Sequence, residues 1–135
     1  MNIAFLLTPK SEVAYLYNDQ TVRQGLARMR AHGYTAIPVL DRDGHYVGTI
    51  SEGDFLWYVM DENSYSPKSQ EDKYIPEILR RVRRPNPPVR INADMDELLT
   101  KAFSQNFVPV VDDRDLFVGI ITRKDIIKHF CISES

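Results

Sequence analysis

The chain has 135 residues, of which 43% are hydrophobic and 27% are charged, and its net charge is −2. This balance is typical of a globular protein rather than a disordered one, and the small negative charge argues against a general nucleic-acid binder. A single cysteine, Cys131, excludes an internal disulfide, and no apolar run is long enough to cross a membrane. The N-terminal apolar stretch is too short for a signal peptide and lacks a basic flank. We therefore expect a cytoplasmic protein of one compact unit or two small intertwined ones.

The first elements are short. Residues 2–7 predict a brief helix or strand, residues 8–12 a loop, and residues 13–17 a short strand. A cap cluster that ends at Thr21 comes next. The apolar spacing of Val22, Leu26 and Met29 predicts a helix over residues 22–32 with one buried stripe, and Gly33 is well placed to end it.

Residues 35–54 predict a β-hairpin followed by the start of a helix. Two apolar runs, AIPVL and YVGTI, flank the polar turn DRDG, in which Asp side chains cap the turn and Gly accepts a positive φ. The sequence SEGD then opens a helix that continues through FLWYVM.

Residues 61–86 separate this hairpin from a similar second part of the chain. The polar stretch DENSYSPKSQED predicts a surface loop, and YIPEILRRVRR predicts a helix with Pro76 in its first turn. The apolar side of that helix would be Ile75, Ile78, Leu79 and Val82. Its end carries four arginines, followed by the helix-stopping PNPP: Arg80, Arg81, Arg83 and Arg84.

The second part begins like the first. Residues 89–92 predict a strand, and Asp94 with Glu97 fits a capping box at the start of a helix. The apolar face of this helix would be Leu98, Leu99, Ala102 and Phe103. The hairpin runs FVPVV and FVGII follow, joined by DDRD, and TRKD opens a last helix through IIKHF.

Residues 106–125 repeat residues 35–54 without a gap. Each residue of the second copy lies 71 positions after its counterpart in the first, as Pro109 does after Pro38. The identical pairs are Pro38/Pro109, Val39/Val110, Asp41/Asp112, Val47/Val118, Gly48/Gly119, Ile50/Ile121 and Asp54/Asp125. A repeat at a fixed period indicates a duplicated structural unit, and two copies are too few for a solenoid. We therefore predict an α+β (α/β-type) fold in which β-α-β-β-α occurs twice with pseudo-twofold symmetry.

Two motifs in each copy carry a family resemblance: an x-P-V-h-D start (Ile37 to Asp41, Val108 to Asp112) and a G-h-h-S/T-x-x-D end (Gly48 to Asp54, Gly119 to Asp125). One copy resembles the CBS domain, and the two together resemble a CBS pair, or Bateman module, as found in small stand-alone proteins. The resemblance covers nearly the whole chain apart from the linker. It implies a first CBS repeat over residues 1–62, a linker with a helix over 63–84, and a second repeat over 85–135.

The helix starts Ser51-x-x-Asp54 and Thr122-x-x-Asp125 admit two compatible interpretations. As capping boxes, the hydroxyl would cap backbone amides and the carboxylate would complement the helix dipole. As a binding site, the free amides would favour an anion and the carboxylate would accept both hydroxyls of a ribose. The resemblance favours the second role, since in CBS pairs this Asp typically holds the ribose while adenine lies between strands.

The resemblance implies that each nucleotide site combines residues of both copies. The first site would contain Thr8, Ala14, Tyr34, Thr35, Ala36, Ile120, Thr122, Arg123, Lys124 and Asp125. The second would contain Arg84, Val89, Gln105, Asn106, Phe107, Thr49, Ser51, Gly53 and Asp54. We favour the first, because Ala14 and Ala36 leave room for a flat base and Arg123 or Lys124 could neutralise phosphate, whereas Phe107 replaces the small residue in the second.

Two further features have alternative interpretations. The arginine run from Arg80 to Arg84 is either a solvated helix end that complements the dipole or a grip on polyphosphate. The helices after Asp54 and Asp125 carry apolar residues on more than one face, which is more than a monomer needs. Such helices commonly join two CBS pairs, so the resemblance implies a homodimer.

The chain shows no chemistry of an enzyme. His32, His45 and His129 have no metal-ligand spacing, no catalytic motif is present, and Cys131 lacks a catalytic context. We therefore expect no metal, no required cofactor and no enzymatic activity. The resemblance implies a regulatory module that senses AMP, ADP or ATP for an unidentified downstream protein. A cyclic di-AMP receptor and a ligand-free interaction scaffold are the alternatives.

Overall fold

The computed structural model of the chain describes residues 2–61 and 73–133. Most of the polar loop predicted after the first hairpin, residues 62–72, lies outside these ranges. The chain divides into two compact units, one formed by Ala14–Pro85 and the other by Met1–Val13 together with Asn86–Ser135. We call them the first-repeat unit and the second-repeat unit.

The order β-α-β-β-α occurs twice, as predicted, after a short N-terminal segment. The strands are β1 (Thr8–Pro9), β2 (Leu16–Tyr17), β3 (Ala36–Leu40), β4 (Tyr46–Ser51), β5 (Val89–Arg90), β6 (Phe107–Val111) and β7 (Phe117–Thr122). The helices are α1 (Val22–His32), α2 (Glu52–Asp61), α3 (Ile75–Leu79), α4 (Met95–Ala102) and α5 (Arg123–Ser133). Short 3-10 helices cover Ile3–Leu6 and Lys10–Glu12. The prediction of an α+β fold is confirmed, and no helix in the described ranges is long and apolar enough to cross a membrane.

The first-repeat unit contains a three-stranded sheet in the order β2-β3-β4. Strand β2 runs parallel to β3, with Leu16 opposite Val39, and β3 runs antiparallel to β4, with Ile37 opposite Ile50. Helix α1 has the predicted limits because local signals fix both ends. Thr21 and Gln24 form a complete capping box, and Gly33 ends the helix with a φ of 65°.

Helix α3, which the sequence assigns to the linker, belongs to the core of the first-repeat unit. Ile75 is fully buried and Ile78 nearly so, and both join the apolar cluster that contains Leu16, Val39 and Phe55. Burial of such side chains contributes roughly 1.5–3 kcal/mol each. The chain between the repeats is therefore part of a folded unit and not only a connection.

Helix α3 is shorter than predicted. It ends at Leu79, with Arg80 as its cap, so the arginine run lies beyond the helix instead of forming its last turns. The apolar stripe accounts for this end, because the two fully packed positions, Ile75 and Ile78, lie within the first turn and a half. Val82 is only partly buried and does not extend the helix.

The second-repeat unit contains a four-stranded sheet in the order β1-β7-β6-β5. Strand β5 is parallel to β6, as β2 is to β3, and β6 is antiparallel to β7. The additional strand β1 pairs with β7, with Thr8 opposite Ile120 and Pro9 opposite Gly119. The loop predicted over residues 8–12 is therefore wrong at its start. Residues before Ala14, which the sequence groups with the first repeat, pack with the second.

Gly119 permits the close approach of β1. Its φ is 154°, and a Cβ atom at this position would lie 2.2 Å from the backbone oxygen of Thr8. Only glycine fits such a site without moving the neighbouring strand.

One predicted core residue of α4 is exposed. Leu98 and Ala102 are buried and Leu99 is partly buried, but Phe103 is 83% exposed. Helix α4 ends at Ala102, so Phe103 is the cap residue and no longer follows the apolar stripe of the helix. The N-terminal prediction is confirmed in part, since Asp94 accepts a hydrogen bond from the N–H of Glu97.

Candidate functional site

The residues predicted for the two nucleotide sites are divided between the two units. For the first site, the second-repeat unit holds Thr8, Ile120, Thr122, Arg123, Lys124 and Asp125, and the first-repeat unit holds Ala14, Tyr34, Thr35 and Ala36. For the second site, the first-repeat unit holds Thr49, Ser51, Gly53, Asp54 and Arg84, and the second-repeat unit holds Val89, Gln105, Asn106 and Phe107.

The start of α5 carries the polar residues predicted for the first site. Thr122 Oγ1 accepts a hydrogen bond from the backbone N–H of Asp125 at 3.1 Å. Within residues 2–61 and 73–133, neither the Thr122 hydroxyl hydrogen nor the Asp125 carboxylate has a hydrogen-bond or ion-pair partner. A donor hydroxyl and an acceptor carboxylate are therefore available at this helix start.

Two basic side chains flank these groups. Lys124 is exposed and has no ion-pair partner in the part of the chain that the structure describes. The backbone N–H of Arg123 donates to the Asn106 carbonyl at 2.9 Å, and its guanidinium lies 3.4 Å from Asn106 Oδ1. The first turn of α5 thus combines free positive charge with the helix dipole, which suits an anion.

Thr8 and Ile120 come together because β1 pairs with β7. Ile120 lies opposite Thr8 and two residues before Thr122, on the strand that leads into α5. Phe107 lies opposite Thr122 on the neighbouring strand β6. The short strand β1, which sequence reasoning missed, therefore aligns Thr8 with the end of β7.

The start of α2 has the same residue pattern but different bonding. Ser51 Oγ accepts from the N–H of Asp54 at 3.2 Å and donates its own hydrogen to Asp54 Oδ2 at 2.9 Å. The backbone N–H of Ser51 also donates to Asp54 Oδ2, at 2.8 Å. This is the complete capping box that the sequence predicts, so the hydroxyl and one carboxylate oxygen are already engaged.

Tyr34 connects two predicted site segments of the first-repeat unit. Its phenol oxygen accepts a hydrogen bond from the backbone N–H of Ala14 at 3.2 Å. Ala36 lies opposite Ser51 on the adjacent strand, and the Thr35 carbonyl accepts from the N–H of Glu52. The structure therefore holds Ala14 and the Tyr34 to Ala36 segment close to one another.

The matching segment of the second-repeat unit has different chemistry. Leu16 lies opposite Val39 and Val89 lies opposite Val110, so by register Ala14 corresponds to Pro87, which has no N–H. Asn86 precedes it, is 5% exposed, and donates from its side-chain amide to the Phe107 carbonyl at 3.1 Å. Sequence reasoning missed Asn86. The only signal was a polar residue among the prolines that lead into β5.

Two arginines of the run from Arg80 to Arg84 make cation–π contacts with aromatic rings. Arg81 lies over the ring of Tyr58 and Arg83 lies over the ring of Trp57, both on α2. Arg80 donates to the Pro76 carbonyl. Arg84 is exposed and, over the described ranges, forms no hydrogen bond, ion pair or ring contact. Of the four, Arg84 is therefore the one whose charge is open to a ligand.

An apolar groove lies between α1 and α2 of the first-repeat unit. Its volume is about 570 Å³, and most of its lining is apolar. The lining residues are Leu26, Met29, Arg30, Gly33, Tyr34, Glu52, Phe55, Leu56 and Val59. Tyr34 thus lines the groove and also contacts Ala14 with its hydroxyl.

The last helix of each unit has exposed apolar side chains. On α2 these are Leu56 at 60%, Trp57 at 52% and Met60 at 47% exposure. On α5 they are Ile127 at 61% and Phe130 at 40% exposure. Apolar side chains exposed side by side on one helix are typical of a surface that meets another protein.

A group of potential metal ligands lies at the β3–β4 turn, although the sequence predicts no metal site. Asp41, Asp43 and His45 have ligand atoms within 4.8 Å of one another. Asp41 has a structural role in the turn, because its Oδ1 accepts hydrogen bonds from the N–H groups of Asp43 and His45. These bonds, the one from His45 first, lower the pKa of Asp41. Asp112 makes the same two turn bonds in the second repeat.

Comparison with known proteins places this geometry in a family. The CBS domain model matches residues 6–61 and 77–131. An A-adding tRNA nucleotidyltransferase of Aquifex aeolicus is 32% identical over 111 residues, which is 80% of this chain. The chain spans less than half the length of the curated relatives it matches, 12% for this one.

Solved structures give the same result over nearly the whole chain. CbpB in complex with c-di-AMP is 26% identical, with a TM-score of 0.84 over 96% of this chain and 84% of that one. A CBS domain protein from Streptococcus pneumoniae is 30% identical, with a TM-score of 0.81 over 92% and 82%. Both repeats match the family model and the fold is that of CBS pairs, so the chain belongs to the CBS domain family.

Proposed function

We propose that this CBS pair is a regulatory module that binds an adenosine-containing nucleotide at the start of α5. The observation that carries the proposal is the open state of that helix start: the Asp125 carboxylate and the Thr122 hydroxyl hydrogen have no partner in the described ranges, and Lys124 lies beside them. At the start of α2, by contrast, Ser51 and Asp54 bond to each other.

Each group would have a defined role. The Asp125 carboxylate would accept hydrogen bonds from the two hydroxyl groups of a ribose. The Thr122 hydroxyl would donate a hydrogen bond to a ribose or phosphate oxygen. Lys124 and Arg123 would neutralise phosphate together with the dipole of α5. That Thr8, Ala14, Tyr34 to Ala36 and Ile120 contact the same ligand stays a prediction of the family resemblance, as does the weaker second site around Asp54.

The candidate ligands are AMP, ADP, ATP and cyclic di-AMP. One comparison specifically favours the last of these, because CbpB, which is 26% identical over 96% of this chain, is described in complex with c-di-AMP. No cofactor is required for a module of this kind, and we propose no enzymatic activity. The nucleotide would act as a regulatory ligand in the cytoplasm.

We also propose that the module acts as a homodimer. The exposed apolar side chains of α2 and α5 support this proposal, since a second copy would cover them. Sedimentation of the purified chain tests it, and Leu56→Glu should then favour the monomer. A downstream protein would detect the ligand-dependent state, because a ligand changes a protein only through its different affinity for two states.

Thermal unfolding with AMP, ADP, ATP, S-adenosylmethionine and cyclic di-AMP tests the proposal. A ligand at 100 times its Kd stabilises the folded state by about 2.7 kcal/mol, or about 10 °C for a chain of this length. Isothermal titration of the stabilising nucleotide then gives its Kd and stoichiometry. If none of the five shifts the transition, the nucleotide proposal is wrong and the ligand-free interaction scaffold takes its place.

A further inference from the structure

The backbone N–H of Ala14 is bonded by a side chain instead of by a strand or helix. Ala14 is 5% exposed and lies before β2, and its N–H donates to the phenol oxygen of Tyr34 at 3.2 Å. This distance is at the long end for an N–H···O bond. The hydrogen of the Tyr34 hydroxyl itself has no acceptor within the described ranges. The contact is therefore long and leaves the phenol only partly satisfied.

The same tyrosine forms part of the wall of the α1–α2 groove. Its backbone N–H donates to the Met29 carbonyl at 3.1 Å, directly after Gly33 ends α1. The ring is partly buried and lies 5.8 Å from the ring of His32, in a tilted arrangement. Tyr34 thus contacts Ala14 through its hydroxyl and is one of the residues that line the groove.

We propose that the bound nucleotide competes with the Tyr34 hydroxyl for the N–H of Ala14, and that Tyr34 thereby links occupancy of the site to the shape of the α1–α2 groove. The inference rests on the proposed function, which includes Ala14 among the residues that meet the ligand. It concerns the regulation of that site rather than its existence.

The physical basis is the requirement that a buried N–H keeps an acceptor. A base ring nitrogen or a nucleotide oxygen can replace the phenol oxygen, because one hydrogen bond is exchanged for another at small net cost. The released phenol then loses its only bond in the described ranges, and its ring is free to move relative to Met29 and Phe55 in the groove wall. The two surfaces are coupled through one side chain.

Only the first-repeat unit has this arrangement. The position equivalent to Ala14 in the second-repeat unit is Pro87, which has no N–H to donate. The position equivalent to Tyr34 is Gln105, which has no aromatic ring. The competition therefore belongs to the segment that the sequence assigns to the favoured site.

Calorimetric titration of Tyr34→Phe with cyclic di-AMP, AMP, ADP and ATP tests the competition. The variant keeps the ring and removes the oxygen, so the nucleotide no longer has to displace a hydrogen bond, and we expect about fivefold tighter binding, equivalent to one ordinary hydrogen bond. Tyr58→Phe is the matched control, since it removes a hydroxyl that donates to Glu77 in the same unit, outside both predicted sites. Its affinity should equal that of the wild type.

The outcomes separate this inference from the proposed function. If the wild type binds and Tyr34→Phe binds equally well or more weakly, the competition is wrong while the nucleotide site stands. If neither protein binds any of the four nucleotides, the proposed function is wrong and the inference falls with it. Binding by Tyr34→Phe alone would support the competition in its strongest form.

The methyl signal of Met29 tests the link to the groove. In protein with ¹³C-labelled methionine methyl groups, the nucleotide should shift the Met29 signal of the wild type. The Met29 signal of ligand-free Tyr34→Phe should already lie toward the position seen in the nucleotide-bound wild type. Without the hydroxyl, the conformation in which the ring is released from Ala14 is more populated. Met95, on α4 of the other unit, should keep its wild-type position in ligand-free Tyr34→Phe. If the nucleotide does not shift the Met29 signal of the wild type, the coupling is wrong.

Discussion

The starts of α2 and α5 have the same backbone and different side-chain bonding. In both, the first helical N–H donates at 2.9 Å to the carbonyl of the residue just before the neighbouring strand: Glu52 to Thr35, and Arg123 to Asn106. In both, a hydroxyl accepts from the N–H of the aspartate three residues later. At α2 the Asp54 carboxylate also accepts hydrogen bonds from the backbone N–H and the hydroxyl of Ser51. At α5 the Asp125 carboxylate has no partner within the described ranges.

A duplicated backbone therefore does not give two equal sites. The carboxylate of Asp54 stabilises its own helix, and a ligand would have to replace those hydrogen bonds. The carboxylate of Asp125 has no such bonds within the described ranges, so a ribose would not have to break them. Paired substitutions in the two repeats test this difference.

The largest effect is expected on binding. Asp125→Ala removes an ionised acceptor for two ribose hydroxyls, and hydrogen bonds to charged groups contribute about 1.5–3 kcal/mol each. We expect the Kd of the nucleotide to rise roughly 100-fold, which calorimetric titration measures. Asp54→Ala is the matched control and should change the Kd by less than about threefold. A greater loss for Asp54→Ala would reverse the assignment of the two sites.

A large effect on stability is expected where the two sheets differ. Gly119→Ala forces a side chain into a positive φ and against the backbone of Thr8, so we expect it to reduce the free energy of unfolding by about 2–3 kcal/mol. In Gly48→Ala the new methyl group meets only the end of the Leu79 side chain, at 3.0 Å. That variant should lie within about 1 kcal/mol of the wild type. Urea unfolding of both proteins decides the point, and equal losses would contradict the close approach of β1.

Helix capping gives a smaller and opposite difference. Asp54→Ala removes the acceptor of the Ser51 N–H and hydroxyl, and should reduce the free energy of unfolding by about 1 kcal/mol. Asp125→Ala loses only its interaction with the helix dipole, about 0.3–0.5 kcal/mol. Urea unfolding without nucleotide would therefore rank the two variants in the reverse order of their binding defects. A larger loss for Asp125→Ala would mean that its carboxylate has a structural partner.

The smallest effect concerns acid. The backbone N–H groups of Arg114 and Leu116 lower the pKa of Asp112, so this carboxylate contributes stability above its unfolded pKa near 3.9. That contribution is lost as the pH falls through the lower folded pKa. We expect Asp112→Asn to be less sensitive to acid between about pH 4 and pH 2, by at most one proton per molecule. Asp41→Asn should behave alike, because Asp41 makes the same turn bonds, and different slopes would separate the two turns.

Much of each repeat could be predicted because its signals are local. The cap at Thr21, the apolar spacing of Val22 and Met29, and the stop at Gly33 lie within a few turns of one another, and α1 has the predicted limits. The hairpins were equally clear, since each turn lies beside the strands it joins. The duplicated motif also supported the predicted order of elements, because both copies predict the same order.

The order of residues alone therefore predicts the repeat, its elements and the family resemblance that the CBS domain matches confirm. Contacts between distant residues were needed to show that Thr8 pairs with Ile120 and that Ile75 completes the first core. They also show that Asp54 is engaged, whereas Asp125 has no side-chain partner within the described ranges. A two-residue strand has no periodicity to detect, and a short helix is assigned to a core only by its contacts. The bonding of a carboxylate depends on a side-chain rotamer, which the pattern S/T-x-x-D leaves free.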